Sequence, residues 1–166
     1  SSTEDRRPMK IKQKPIWNFR TTLKADTATR SQVRSRDVEM VIDEPKDRGG
    51  TNLGPMPVEM VMAGLAGCTH VIANKLANHH GAPITAMDVD IVTTMDSRGT
   101  RLIEPIDVPF PRVVINITAE MDGPADAIDR VIADLRHHCA VSKMLRQSGT
   151  EVVENWIVNG VSRQAA

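Results

Sequence analysis

One segment constrains the fold of this chain more than any other. Val58–His79 runs without a breaker beyond two internal glycines, preceded by Pro57 and closed by Gly81 and Pro83. Proline is tolerated in a helical first turn, where its missing N–H has no partner to lose, and a glycine just past the last turn ends a helix. The spacing therefore predicts one long helix, about 33 Å at 1.5 Å per residue. Val58, Val61, Met62, Leu65, Thr69, Ile72 and Leu76 share one face, and Ala63, Ala66 and Val71 extend the apolar surface around the rest. A helix apolar nearly all round is a buried helix, so something must cover each side. One thin sheet cannot, and a second copy of the chain is the expected remainder. The apolar stretch itself, Met60–Thr69, reads as too short to span a bilayer.

The flanking segments alternate with period two. Thr21–Thr29 and Gln32–Asp43 read as an antiparallel pair, and Met87, Val89, Ile91, Thr93 and Met95 alternate with more polar neighbours in a strand with one wet face. Arg112–Met121 is the returning strand. Asp122-Gly123-Pro124 then opens a helix on which Ile128, Val131, Ile132, Leu135 and Cys139 fall at helical spacing. A short third helix follows, ended by Gly149, and Glu151–Val158 is a last strand. Strands and helices do not alternate singly, which points to α+β rather than a doubly wound sheet. No glycine fingerprint links a strand to a helix, against a dinucleotide site. With 166 residues, residues 16–160 read as a single domain behind a polar, flexible arm at 1–15.

Composition narrows the function. Lys and Arg total 21, as do Asp and Glu, so the formal charge is zero, and there are two Trp, two Phe and no Tyr. A nucleic-acid binder usually carries a basic excess and often an aromatic platform. Two cysteines are too few for a disulfide-built secreted scaffold, and no secretory signal opens the chain. The expected compartment is the cytoplasm, with no membrane partner.

Cys68 lies in the middle of the long helix and Cys139 at the junction of the second and third. Core packing, a structural disulfide, metal ligation and redox chemistry all remain open from position alone. Metal is disfavoured geometrically, because Cys68 and His70 are two apart on a helix and face different ways. Neither His79-His80 nor His137-His138-Cys139 has the spacing of a familiar zinc site, and the histidine pairs read as exposed helix ends. A thiol is nucleophilic only as thiolate, so a working Cys68 needs a nearby cation, with Arg30, Arg34, Arg36 and Arg48 available on the preceding segments.

Asp43-Glu44-Pro45, Gly49-Gly50, Gly54-Pro55-Met56-Pro57-Val58-Glu59 and Met62-Ala63-Gly64-Leu65-Ala66-Gly67-Cys68, with His138-Cys139-Ala140-Val141-Ser142-Lys143-Met144-Leu145 downstream, together resemble the OsmC/Ohr family from about Thr21 to Val158. The resemblance implies an α+β intertwined homodimer, with antiparallel sheets wrapped around long central helices. It implies a peroxidase acting on organic hydroperoxides, in which Cys68 attacks the peroxide and Cys139 resolves the sulfenic acid as a disulfide. An external dithiol, a lipoyl group in the Ohr branch, reduces the disulfide, and no cofactor or metal is required. Arg30 is the positional match for the activating arginine. Two positions depart from the Ohr pattern. The carboxylate expected directly after Pro57 is one residue later, at Glu59, and Ala140 replaces a proline. Both shift the likeness towards the OsmC-like branch, where the alternative reading is a non-catalytic small-molecule-binding or thiol-redox protein.

Overall fold

The computed structural model describes residues 15–165. The arm assigned to residues 1–15 lies, but for Pro15, outside them. The chain divides between Met56 and Pro57 into two compact units, a division inside the span that the sequence reads as one domain.

The first unit is a three-stranded antiparallel meander of β1 (Thr21–Ala25), β2 (Ser31–Ser35) and β3 (Val38–Ile42). The expected strand over Gln32–Asp43 is thus two strands. Arg36 adopts a left-handed φ of 59°, and Ser35 pairs with Val38 across a two-residue turn. Tight hairpin turns demand that backbone, and strand alternation alone does not reveal it. The first expected strand stops early as well. Asp26 and Thr27 both donate N–H bonds to the Arg30 carbonyl, while the Thr27 hydroxyl accepts from the amides of Thr29 and Arg30. Arg30 is therefore fixed at the mouth of a closed turn.

Past β3 the chain makes a 3-10 turn at Lys46–Arg48 and a loop organised by one carboxylate. Asp43 is fully buried. It accepts hydrogen bonds from the hydroxyls of Thr29 and Thr51 and from the amides of Glu44, Thr51 and Leu53. These donors, the Thr51 hydroxyl foremost, hold its carboxyl far below the usual carboxylate range despite the cost of burial. The glycines serve the same loop. A Cβ on Gly50 would overlap the Glu44 carbonyl, and one on Gly54 the Val41 carbonyl.

The second unit begins with α1 (Pro57–His80), close to the expected Val58–His79, with Gly81 beyond it at a φ of 78°. Four strands, β4 (Ile84–Thr94), β5 (Arg112–Met121), β6 (Glu151–Val158) and β7 (Val161–Gln164), form one sheet in that order. Two helices, α2 (Ala125–His138) and α3 (Ala140–Gln147), lie between β5 and β6 in the chain. The sheet is mixed. β4–β5 and β6–β7 are antiparallel, but β5 and β6 run parallel, because two helices carry the chain back to the starting edge. This corrects the expectation of purely antiparallel sheets, and β7 was not foreseen.

Val113, Ile115, Ile117, Ala119 and Met121 of β5 and Val152, Trp156 and Val158 of β6 present one apolar face. Leu65, Ala73 and Leu76 of α1 and Ile128, Val131, Ile132 and Leu135 of α2 complete the core. α1 is buried along one side only, at Met62, Leu65, Thr69, Ala73, Leu76 and Ala77. The apolar stretch read as too short for a bilayer thus belongs to a helix that, by length and composition alone, is long and apolar enough to cross one. Its contacts with β4, α2 and α3 are those of a core helix.

Candidate active site

Cys68 faces the core from the middle of α1 and is half-buried, while Cys139 is fully buried, and both are free thiols. Cys139 is not inside a helix. It ends α2 by donating its N–H to the Leu135 carbonyl (3.0 Å) and starts α3 by accepting from the Lys143 amide (3.0 Å). Its own backbone is extended, with φ −76° and ψ 105°. That single non-helical residue bends the chain so that the junction presents its thiol inward. Ala140 occupies the first position of α3, where a proline would also fit.

The two thiols are near enough for Cys68 to influence Cys139. Burial is the main influence on Cys139 and pushes its thiol up. The Ser142 amide and hydroxyl offset part of this, and the adjacent Cys68 thiol adds to the rise. Desolvation penalises the charged form of a buried thiol. The pair is therefore asymmetric: Cys68 is half-buried, and Cys139 is sheltered and held as a thiol.

The other anticipated residues are placed as follows. Arg30 belongs to the first unit. Its Nη1 donates to the Thr51 hydroxyl at 2.9 Å, and its Nε lies 3.6 Å from Asp26. Because Thr51 in turn bonds Asp43, the guanidinium is held by the loop that the Asp43 carboxylate organises. Arg34 is taken by Glu39, and Arg36 is exposed in its turn. Glu59 stands exposed in the first turn of α1, in the second unit.

Two features escaped the sequence reading. His80 is not an exposed helix end. Its Nε2 meets the Asp134 carboxylate at 2.8 Å, tying the end of α1 to α2. A cavity of about 470 Å³ opens there between Ile72, Lys75, Leu76, His79, His80, Asp134 and His138. The second is Arg146, whose guanidinium reaches the buried Glu154 and the Val152 carbonyl. Nothing in helical or strand spacing announces either pairing, since each joins residues from different elements. Among the described residues, no three His, Cys, Asp or Glu side chains are grouped to hold a metal ion.

The OsmC-like protein family model matches residues 50–155, which takes in both cysteines and most of the chain. The chain belongs to the OsmC-like family. No curated protein sequence matches it significantly. Among solved structures, the OsmC-like chain resembles an OsmC like protein from Mycoplasma pneumoniae, with a TM-score of 0.72 at 16% identity over 86% of this chain and 97% of that one. An organic hydroperoxide resistance protein OsmC from Legionella pneumophila gives 0.62 at 14% identity, over 86% and 98%. An organic hydroperoxide resistance protein from Elizabethkingia anophelis, with thiocyanate bound, gives 0.60 at 18% identity, over 89% and 100%. At these identities the likeness establishes a shared OsmC-like fold.

Proposed function

We propose that this OsmC-like protein is a thiol peroxidase that reduces organic hydroperoxides in oxidative-stress defence. The observation that carries the reading is the asymmetric pair, a half-buried Cys68 near a buried, protonated Cys139. The Cys68 thiolate attacks the distal oxygen of R–O–O–H. The O–O bond breaks, the sulfur is oxidised to sulfenic acid, and the alkoxide leaves as the alcohol after taking a proton. Cys139 gives up its proton and attacks the sulfenic sulfur, water departs, and a Cys68–Cys139 disulfide remains. An external dithiol, such as a lipoyl group, then restores both thiols at the cost of its own oxidation. Cys68 packs against the apolar core, as does Ile72 one turn further along α1, which suits an alkyl hydroperoxide better than H₂O₂. Family membership and the names of the Legionella and Elizabethkingia proteins lend support. The chemistry needs a reducing compartment, in keeping with the cytoplasm.

Mixing reduced protein with cumene hydroperoxide or H₂O₂ and following thiol loss tests the reading. Loss of both thiols at one equivalent of cumene hydroperoxide, faster than with H₂O₂, is expected. Unchanged thiols would instead favour a non-catalytic, ligand-binding role.

By match to the family motif alone, Arg30 is proposed to favour the Cys68 thiolate and hold the peroxide, and Glu59 takes the place of the family's carboxylate. Arg30→Ala is expected to slow the first oxidation by about 10²–10³, the size of one preorganised electrostatic donor. Single-turnover rates of sulfenate formation check this, and an unchanged rate removes Arg30 from the site.

The working form is assigned as an intertwined homodimer. Leu23 of β1 is 62% exposed, and Val61 and Val71 of α1 are 40% and 48% exposed, apolar surface that a partner copy would cover. Light scattering at micromolar concentration is expected to give twice the chain mass of 18.2 kDa; a monodisperse monomer would overturn the assignment.

A further inference from the structure

A second cavity, of about 430 Å³, opens where α2 meets α3, in the size range of small-molecule sites. Arg136, His137, Lys143, Arg146 and Gln147 line it, and among the described residues no acidic side chain does. Beneath it lies one carboxylate, Glu154, bound by Arg146 at 3.3 Å. Arg136, Lys143 and Arg146 bring three positive charges and Glu154 one negative, which leaves two uncompensated. His137 contributes a further ring donor.

Two guanidinium atoms are short of partners. The Nε–H groups of Arg136 and Arg146 are buried and donate to no acceptor. A buried N–H donor without an acceptor is costly, and native structures usually fill such positions. Helix electrostatics explains only part of the cluster. Arg136 lies in the last turn of α2, where a cation is favourable. Lys143 stands in the first half of α3, whose first turn carries no acid, so the helix dipole does not call for it there.

We propose that this cavity binds a phosphate monoester dianion, independently of any peroxide chemistry at Cys68. Two surplus charges match a dianion rather than a single carboxylate. Arginine forks present paired N–H donors to phosphoryl oxygens, and Lys143 adds a point charge from the facing turn. Arg146 is already fixed by the Val152 carbonyl (3.1 Å) and by Glu154, so little side-chain freedom is lost when an anion arrives.

Calorimetric titration of the full chain with phenyl phosphate, benzoate and inorganic phosphate, at constant ionic strength in chloride, tests the site. Saturable binding of phenyl phosphate, tighter than benzoate, is expected, with inorganic phosphate competing. Arg136→Gln and Lys143→Gln should each weaken phenyl phosphate by at least about tenfold, the cost of a lost charge-assisted hydrogen bond. The melting temperature of Lys143→Gln should match that of the parent. Lys143 is exposed, so its variant carries the test should Arg136→Gln fail to fold. Benzoate binding as tightly as phenyl phosphate, no binding beyond chloride, or unaltered affinity in Lys143→Gln would overturn the proposal.

Discussion

Cys68→Ser is expected to abolish hydroperoxide consumption, leaving only the uncatalysed background. A serine hydroxyl is not ionised near neutral pH, and oxygen cannot enter the sulfur oxidation ladder. Cys139→Ser should behave differently. The first equivalent of peroxide is still consumed and Cys68 reaches the sulfenic acid, but no disulfide follows. With excess peroxide the sulfur goes on to sulfinic acid, which mass spectrometry reads as two added oxygens on the Cys68 peptide. The assignment of roles rests on the different settings of the two sulfurs. Burial and the neighbouring thiol hold Cys139 protonated, which suits a group that must wait until Cys68 has been oxidised. Once Cys68 is a neutral sulfenic acid, the repulsive part of that environment is gone and Cys139 ionises more readily. Blockage of the first turnover by Cys139→Ser, with Cys68→Ser still active, would show the roles to be reversed. Unaltered peroxide loss in both variants would end the peroxidase reading.

Much of the second unit was legible in the sequence, for reasons that belong to particular residues. Pro57, Gly81 and Pro83 bracket α1 within a residue of its observed ends, because these residues act on the backbone itself, whatever the tertiary setting. The alternation in Arg112–Met121 and Glu151–Val158 set both strands correctly, since one face of each is buried. Where the backbone departs from its usual rule without a proline or glycine to mark it, the reading failed. Arg36 takes the left-handed turn with an ordinary side chain, and one expected strand became two. The parallel register of β5 and β6 depends on which sheet edge the chain reaches after α3, information that alternation does not contain. The cysteine pair was visible only through the family motifs. The contact between α1 and the α2–α3 junction is tertiary, and spacing along the chain leaves it open. Glu154 is the sharpest case: by alternation it falls on the apolar face of β6, opposite Ile115, and only the arrival of Arg146 makes an acid tolerable there.

That dependence makes Arg146→Met strongly destabilising. The Glu154 side chain is 3% exposed. Burial pushes its carboxyl up, and Arg146, with Arg136 behind it, counters the rise. Removal of one member of a buried ion pair leaves a stranded charge and costs about 3–5 kcal/mol, on the order of 10–15 °C in melting temperature for a chain of this size. The remaining Arg136 favours the lower end of that range. The loss should depend on pH with a definite sign. A carboxyl whose folded pKa lies above its unfolded value binds its proton more tightly in the folded state, so it destabilises the fold as pH rises through and above the unfolded value. Without Arg146 the folded value climbs further and the window widens upward. Parent and variant should therefore melt most nearly together around pH 4 and separate as the pH is raised to 7. Replacement of both partners, Arg146→Met with Glu154→Met, removes the stranded charge and should recover most of the loss at pH 7, since an apolar pair of similar volume is often as stable as a buried ion pair. Thermal melts of the three proteins at pH 4, 5.5 and 7 check the whole pattern. A pH-independent deficit in Arg146→Met, or a double variant no better than the single, would show that Arg146 stabilises the fold by packing rather than by its charge on Glu154.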